Sequence, residues 1–198
     1  LGDVLEARGQ LEAALAQYRQ ALDVRRTLAA ADPTNAQAQR DLSLSHGRVG
    51  NVLRKQGRWQ EALVELQASR AIARRLAADE PANREWQRDL ALAHLDVARV
   101  LDAQGRSHAA LEAYEAALAI TEQLARAKPS DVAAQRDLLA RYADLAQLRE
   151  RQGSSADAQQ TYCHAKAVAL ELAKLEPGND EWRERRTWVE ERLRATHD

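Results

Sequence analysis

Phenylalanine and methionine are absent from this 198-residue chain, and cysteine occurs once, at Cys163. One thiol excludes an intrachain disulfide and a cysteine-built zinc site, and it makes a reducing cytoplasm the expected compartment. No apolar run approaches the roughly 20 residues needed to span a bilayer, and the first residues do not read as a signal peptide. Charge of one sign is also lacking. The formal net charge is -1, so no strong field favours nucleic acid or an anionic membrane, and neither is expected as a partner. Aromatics make up only 4% of the residues, whereas Ala, Leu, Arg, Glu and Gln dominate. That is the vocabulary of long helices, and it predicts an all-α chain. Arg outnumbers Lys 25 to 4, a bias of the kind that GC-rich bacterial genomes impose.

What is present is a period. Residues 42–57 read LSLSHGRVGNVLRKQG, residues 90–105 read LALAHLDVARVLDAQG, and residues 138–153 read LLARYADLAQLRERQG. The opening LGDVLEARG is the tail of the same unit. Gly9, Gly57, Gly105 and Gly153 stand 48 apart, as do Pro33, Pro81, Pro129 and Pro177. A fixed spacing of this size is the signature of a stacked repeat array. The expected units are about 1–34, 35–82, 83–130 and 131–178, with a capping helix over 179–198, all forming one array over 1–198.

Each unit reads as a helix, a short Gly turn, a second helix and a Pro turn. Helices are predicted near 10–31, 36–56, 58–79, 83–104, 106–127, 131–152 and 155–175, with a last one over 180–195. Gly at the end of each first helix can take the left-handed conformation that closes it. The residue before Pro avoids the α region, which ends each second helix. Thr34 or Asn35, then Asn83, then Ser130 or Asp131, then Asn179 offer N-cap side chains. In the second helix of the first unit, Ala14, Tyr18, Ala21, Val24 and Leu28 form the predicted buried stripe.

These residues carry a resemblance to the tetratricopeptide repeat. The family pattern W-x2-L-G-x2-Y, then A-x3-F, then P stands here as His46, Val49, Gly50 and Leu53, then Ala62 and Leu66, then Pro81. The next unit gives His94, Val97, Ala98, Leu101, Ala110, Tyr114 and Pro129; the third gives Tyr142, Leu145, Ala146, Ala158, Tyr162 and Pro177, with Arg149 where an apolar residue is expected. Small residues at Gly50, Ala98, Ala62 and Ala110 let paired helices approach closely. The resemblance implies an α-solenoid, a right-handed superhelix of antiparallel helix pairs with a C-terminal capping helix.

The unit departs from the 34-residue family length by two inserts of seven, one in each helix. Seven residues make nearly two turns with a drift of only about 20°, so the buried faces keep their direction. The inserts repeat Leu28, Leu76, Leu124 and Leu172, and also Gln39-Arg40-Asp41, Gln87-Arg88-Asp89 and Gln135-Arg136-Asp137. The Arg-Asp pairs fit either a charged ladder between units or a solvated face. In the last helix Arg186 stands where Leu42, Leu90 and Leu138 stood, the polar replacement that a terminal cap requires, with Trp182 and Trp188 on its inner side. Leu1–Gly9 is a partial helix, so the chain is expected to be a piece of a longer array or multidomain protein whose uncovered apolar end favours self-association.

No residue asks to be read as catalytic. His46 and His94 share a repeat position that holds Tyr142 and Glu190 in later units, which favours packing over ligation. His108, His164 and His197 have no acidic or cysteine partners at metal or triad spacing. Cys163 is expected on the polar face of its helix. No cofactor or metal site is expected, and no Gly-rich phosphate loop follows a strand.

The resemblance implies instead a concave groove lined by the first helices. The matching positions are Leu44, Gly47, Asn51, Arg54 and Lys55; then Leu92, Leu95, Arg99, Asp102 and Ala103; then Ala140, Ala143, Gln147, Glu150 and Arg151. Such a groove has an apolar and a charged wall, suited to an extended or helical peptide. The cluster of Lys and Asn with which some relatives grip a C-terminal carboxylate is not reproduced, since Asn51 fits but Gly47, Asp96 and Asp144 do not. The reading is a non-enzymatic, cytoplasmic protein-interaction module for a peptide or protein partner. The alternatives are a self-assembling scaffold or homo-oligomer, an enzyme with its catalytic domain upstream of Leu1, and a small-molecule sensor or regulatory domain, for which the sequence shows no pocket-forming cluster. The QRDL and ADP-x-N signatures look like those of repeats carried by bacterial multidomain proteins beside protease-like or NTPase-like effector domains.

Overall fold

The computed structural model describes residues 1–196, so His197, with the end of the expected capping segment, lies outside the described residues. Among the described residues there are nine α-helices and no strand: α1 (Gly2–Ala7), α2 (Leu11–Ala31), α3 (Ala36–Lys55), α4 (Trp59–Asp79), α5 (Arg84–Ala103), α6 (Ser107–Ala127), α7 (Val132–Arg151), α8 (Ser155–Leu175) and α9 (Asp180–Ala195). The fold is an all-α helical-repeat solenoid, with neighbouring helices packed on one another from α1 to α5 and from α7 to α9. Contacts divide it into two compact units, Leu1–Ala110 and Leu111–Asp198, the boundary falling inside α6.

The ends of the helices follow from their sequence. At the end of α3, Gly57 takes φ of 74°. Its N–H donates to the Arg54 carbonyl at 3.0 Å, and the Arg58 N–H donates to the Leu53 carbonyl at 2.9 Å. This pair of bonds is the Schellman closure, which satisfies carbonyls that a helix end leaves open. Gly9, Gly105 and Gly153 repeat it with φ of 73°, 70° and 75°. At the other ends, Asn35, Asn83, Asp131 and Asn179 cap α3, α5, α7 and α9 through side-chain oxygens. Of the alternatives in the sequence, Asn35 and Asp131 are therefore the caps, rather than Thr34 and Ser130.

In the first unit the core is built of small residues facing large ones. Gly50 on α3 lies so close to α4 that a Cβ there would stand 2.6 Å from Leu66 Cγ, and Leu66, Ala62, Val49 and Leu53 are all buried. The stripe predicted on α2 is only partly correct. Ala14 and Tyr18 are buried, joined by Leu15, Leu22 and Ala29, but Ala21, Val24 and Leu28 are exposed. The reason is coverage: α1 has six residues and reaches only the first half of α2, where the Tyr18 hydroxyl donates to Asp3 at 2.6 Å and to Glu6 at 2.8 Å. Leu76 and Leu172, at the place of Leu28 in later repeats, are buried.

In the second unit α7 packs on α8 and α8 on α9. Tyr162 and Leu172 are fully buried, as are Ala146 and Ala158 at the positions of close approach. Trp182 is buried, and Trp188 meets the Tyr162 ring edge-on at 6.0 Å. The polar Arg149, placed where an apolar residue was expected, donates to Thr161 Oγ1 at 2.7 Å and to Glu115 at 2.8 Å.

Candidate partner-binding faces

In the first unit α3 and α5 meet through the Arg and Asp of their recurring Gln-Arg-Asp residues. In the first unit Arg40 on α3 reaches across to α5, with Nε 2.5 Å from Asp89 Oδ2 and Nη2 2.8 Å from Glu85. Both Arg40 and Asp89 side chains are largely buried. Of the two readings of the Arg-Asp pair, this rung is therefore a ladder contact and not a solvated face. The glutamine has a role that the sequence did not suggest. Gln39 Nε2 donates to the Ala29 carbonyl at 3.1 Å, and Gln87 does the same to Ala77 at 3.0 Å. In the second unit Gln135 reaches Ala125 at 3.4 Å. Each bond occupies a carbonyl near the end of the preceding helix, which otherwise has no intrahelical donor. The recurrence of Gln ten residues after Ala was the available signal.

On the α3 and α5 surface, Leu44 and Leu92 are exposed at 37% and 45%. They hold the same place in consecutive repeats. Leu95 does not belong with them: it is 1% exposed and sits in the core, because its register turns it towards the packed side of α5. Gly47, at the same register in α3, faces Ser69 of α4, with 3.5 Å to its Oγ from a Cβ position. The expected polar wall is already satisfied internally. Asn51 Nδ2 donates to Asp96 at 2.8 Å, Arg54 Nε donates to Asn51 at 3.3 Å, and Lys55 Nζ donates to Glu6 at 2.7 Å. Arg99 and Asp102 are partly exposed and also partnered.

In the second unit, Ala140, Ala143 and Gln147 of α7 are partly exposed. Glu150 accepts the Tyr162 hydroxyl at 2.8 Å and lies 3.6 Å from Arg192. Burial, and then the bond to Glu150, push the Tyr162 hydroxyl up to about 12. Arg151 is exposed.

His46 and His94 are partly buried within the repeats, whereas His108 and His164 are exposed. His46 Nδ1 lies 2.6 Å from Glu65. His94 is driven down to about 4 by burial and by the charges of Arg70 and Arg74, so its ring stays neutral at pH 7. His164 stacks on Tyr142, whose hydroxyl donates to Glu122 at 2.5 Å. Among the described residues no group of three or more His, Cys, Asp and Glu side chains could hold a metal ion, and no helix is long and apolar enough to cross a membrane. Cys163 is exposed.

Residues 1–33 and 47–81 match the tetratricopeptide repeat family. A kinesin light chain of Podosopora anserina with nearly identical TPR-like repeats is similar in structure, with a TM-score of 0.63 and 20% identity over 100% of this chain and 92% of the other. BtubC from P. vanneervenii gives a TM-score of 0.60 and 18% identity, over 94% of this chain and 73% of that one. The Rap conjugation gene regulator of plasmid pLS20, solved in complex with the Phr* peptide, gives 0.58 and 15%, over 100% of this chain and 52% of that one. At these identities the likeness is one of fold. No curated protein matches the chain.

Proposed function

Because the chain belongs to the tetratricopeptide repeat family, and the fold is one that elsewhere holds a peptide, we propose that it is a non-enzymatic protein-interaction module. A partner segment lies on the surface of α3 and α5. The observation that carries this reading is the pair Leu44 and Leu92, large apolar side chains held exposed at equivalent places on two packed helices. A lone exposed leucine is ordinary, but a recurring pair on neighbouring elements supplies an apolar seat. The bonded polar residues beside it, Asn51, Asp96, Arg54, Arg99 and Asp102, form its rim. Their internal bonds set the surface without a large entropy loss on binding, which leaves the leucines to supply affinity. In the second unit Ala140, Gln147, Glu150 and Arg151 occupy the corresponding positions.

A photo-crosslinking residue placed at position 92 tests this, with the same residue at Val64, which is 66% exposed on α4, as control. The expected result is one discrete adduct from position 92 and none from position 64, lost in a Leu44→Asp variant. Equal labelling at both positions, or adducts only between copies of the chain, would overturn it and favour self-assembly.

A further inference from the structure

The Arg-Asp pair that joins α3 and α5 is not repeated in the sequence of α7 and α9. Two periods after Arg40, Glu85 and Asp89 stand Arg136, Glu181 and Arg185. In the first unit the three side chains sum to one negative charge, and the Asp89 carboxylate seats on the Arg40 guanidinium. In the second unit the same three positions sum to one positive charge, with Arg185 at the sequence position of Asp89. Arg136 and Arg185 both line a cleft of about 190 Å³ between α7 and α9. Beneath them the walls are Leu139, Ala140, Ala143, Trp182, Trp188 and Val189.

The acids near this cleft are engaged. Asp137, on its wall, already has a partner. Glu176, close enough to feel Arg136, accepts Trp182 Nε1 at 2.8 Å and Asn179 Nδ2 at 3.0 Å. Glu181 lies 3.8 Å from Arg185 one turn along its own helix. Asp137 and Glu181 line the cleft with the two arginines, and both guanidiniums are exposed, so an incoming carboxylate can reach them at the edge of the apolar floor. The volume is below the roughly 300–1,000 Å³ of pockets that take drug-sized ligands, so it suits one ring or one short branched chain.

We propose that the α7/α9 cleft is a binding site for a small hydrophobic carboxylic acid, whose apolar group enters between Trp182, Trp188 and Ala143 while its carboxylate takes the place of the missing Asp between Arg136 and Arg185. The aromatic walls supply the apolar contact. The two guanidiniums supply charge-assisted hydrogen bonds that a neutral amide cannot match. Every residue named belongs to the second unit, so the site stands or falls independently of the partner surface on α3 and α5.

The test uses 4-phenylbutyrate and its neutral amide as probes, with affinity measured by calorimetry. The carboxylate is expected to bind the unchanged chain about tenfold or more tighter than the amide. Arg185→Asp restores the acid found at this place in earlier repeats and lies on an exposed position, so the fold is retained while Arg136 gains an internal partner. That variant should lose the preference for the carboxylate, and Arg136→Gln should weaken it in the same direction. Circular dichroism of both variants verifies that the helices are intact. Equal affinity for acid and amide would overturn the proposal, as would an Arg185→Asp protein that still prefers the acid. Failure of the free acid to bind at millimolar concentration, with an acidic peptide binding instead, would also overturn it.

Discussion

Arg40 and Asp89 are 49 residues apart in sequence, yet the guanidinium Nε lies 2.5 Å from the carboxylate. Their side chains are 18% and 15% exposed, so the pair is more than a surface ion pair, and removing one partner strands the other in partial burial. Arg40→Ala is expected to destabilise the first unit by about 1–2 kcal/mol, and the Arg40→Ala/Asp89→Ala double variant by less than the sum of the two single changes. Urea unfolding of the four proteins measures the coupling; strict additivity would show that the contact contributes nothing.

Gln39 is buried between a carbonyl and a guanidinium: its amide donates to Ala29, and its carbonyl accepts from Arg75 at 2.7 Å. Gln39→Leu keeps the volume but leaves a helix-end carbonyl without its donor. A loss of about 1–3 kcal/mol is expected. Gln39→Glu keeps the bond to Arg75 and loses the one to Ala29, so it separates the two contributions in the same thermal melt.

Gly57 and Gly50 test two different reasons for glycine. A Cβ at Gly57 meets nothing within 4 Å, so the cost of Gly57→Ala, about 1–2 kcal/mol, comes from φ alone, and Asn at this place should cost less. Gly50 is helical, and alanine there would gain helix propensity but strike Leu66 Cγ and Cδ2. The overpacking is expected to win by about 1–3 kcal/mol. Leu66→Ala should then be less harmful in the Gly50→Ala background than in the unchanged chain, because the clash and the cavity offset each other.

His94 predicts a pH dependence. Its folded pKa, about 4, lies below the ordinary 6.5, so the unfolded chain binds this proton first. The stability contributed by the neutral ring is complete above about pH 6.5 and is lost as pH falls from there towards 4. With allowance for a partly exposed ring, the loss at pH 5 is about 1 kcal/mol. His94→Gln should therefore narrow the difference in unfolding midpoint between pH 7 and pH 5. An unchanged difference would mean that the ring titrates normally in the fold.

The helices were legible because their punctuation is local. Glycine at C′, proline after the helix and Asn or Asp at the N-cap act within a few residues of themselves, and the predicted ends match those observed to within a residue or two. Close approach at Gly50 was legible for the same reason, through its spacing from Ala62 and Leu66. Side-chain direction was harder to read. The family resemblance implies that Leu95 lines a groove, but one helical position is a rotation of about 100°, enough to carry it into the core. Asn51 reads as a groove residue, yet nothing in its own unit shows that Asp96, one repeat on, takes its amide. The α7/α9 cleft was illegible as a pocket because Trp182, Trp188, Ala140 and Ala143 converge only when the helices pack.

The pattern of helix contacts also bears on how the chain folds. Within each unit the packed pairs are sequence neighbours, α1 with α2, α2 with α3, α3 with α4, α4 with α5, α7 with α8 and α8 with α9, or neighbours but one, as α3 with α5. The mean separation along the chain of residues that touch is therefore low. Little loop-closure entropy is lost before the first contacts form, so nucleation at any single hairpin can spread to its neighbours, which places the chain among fast-folding topologies.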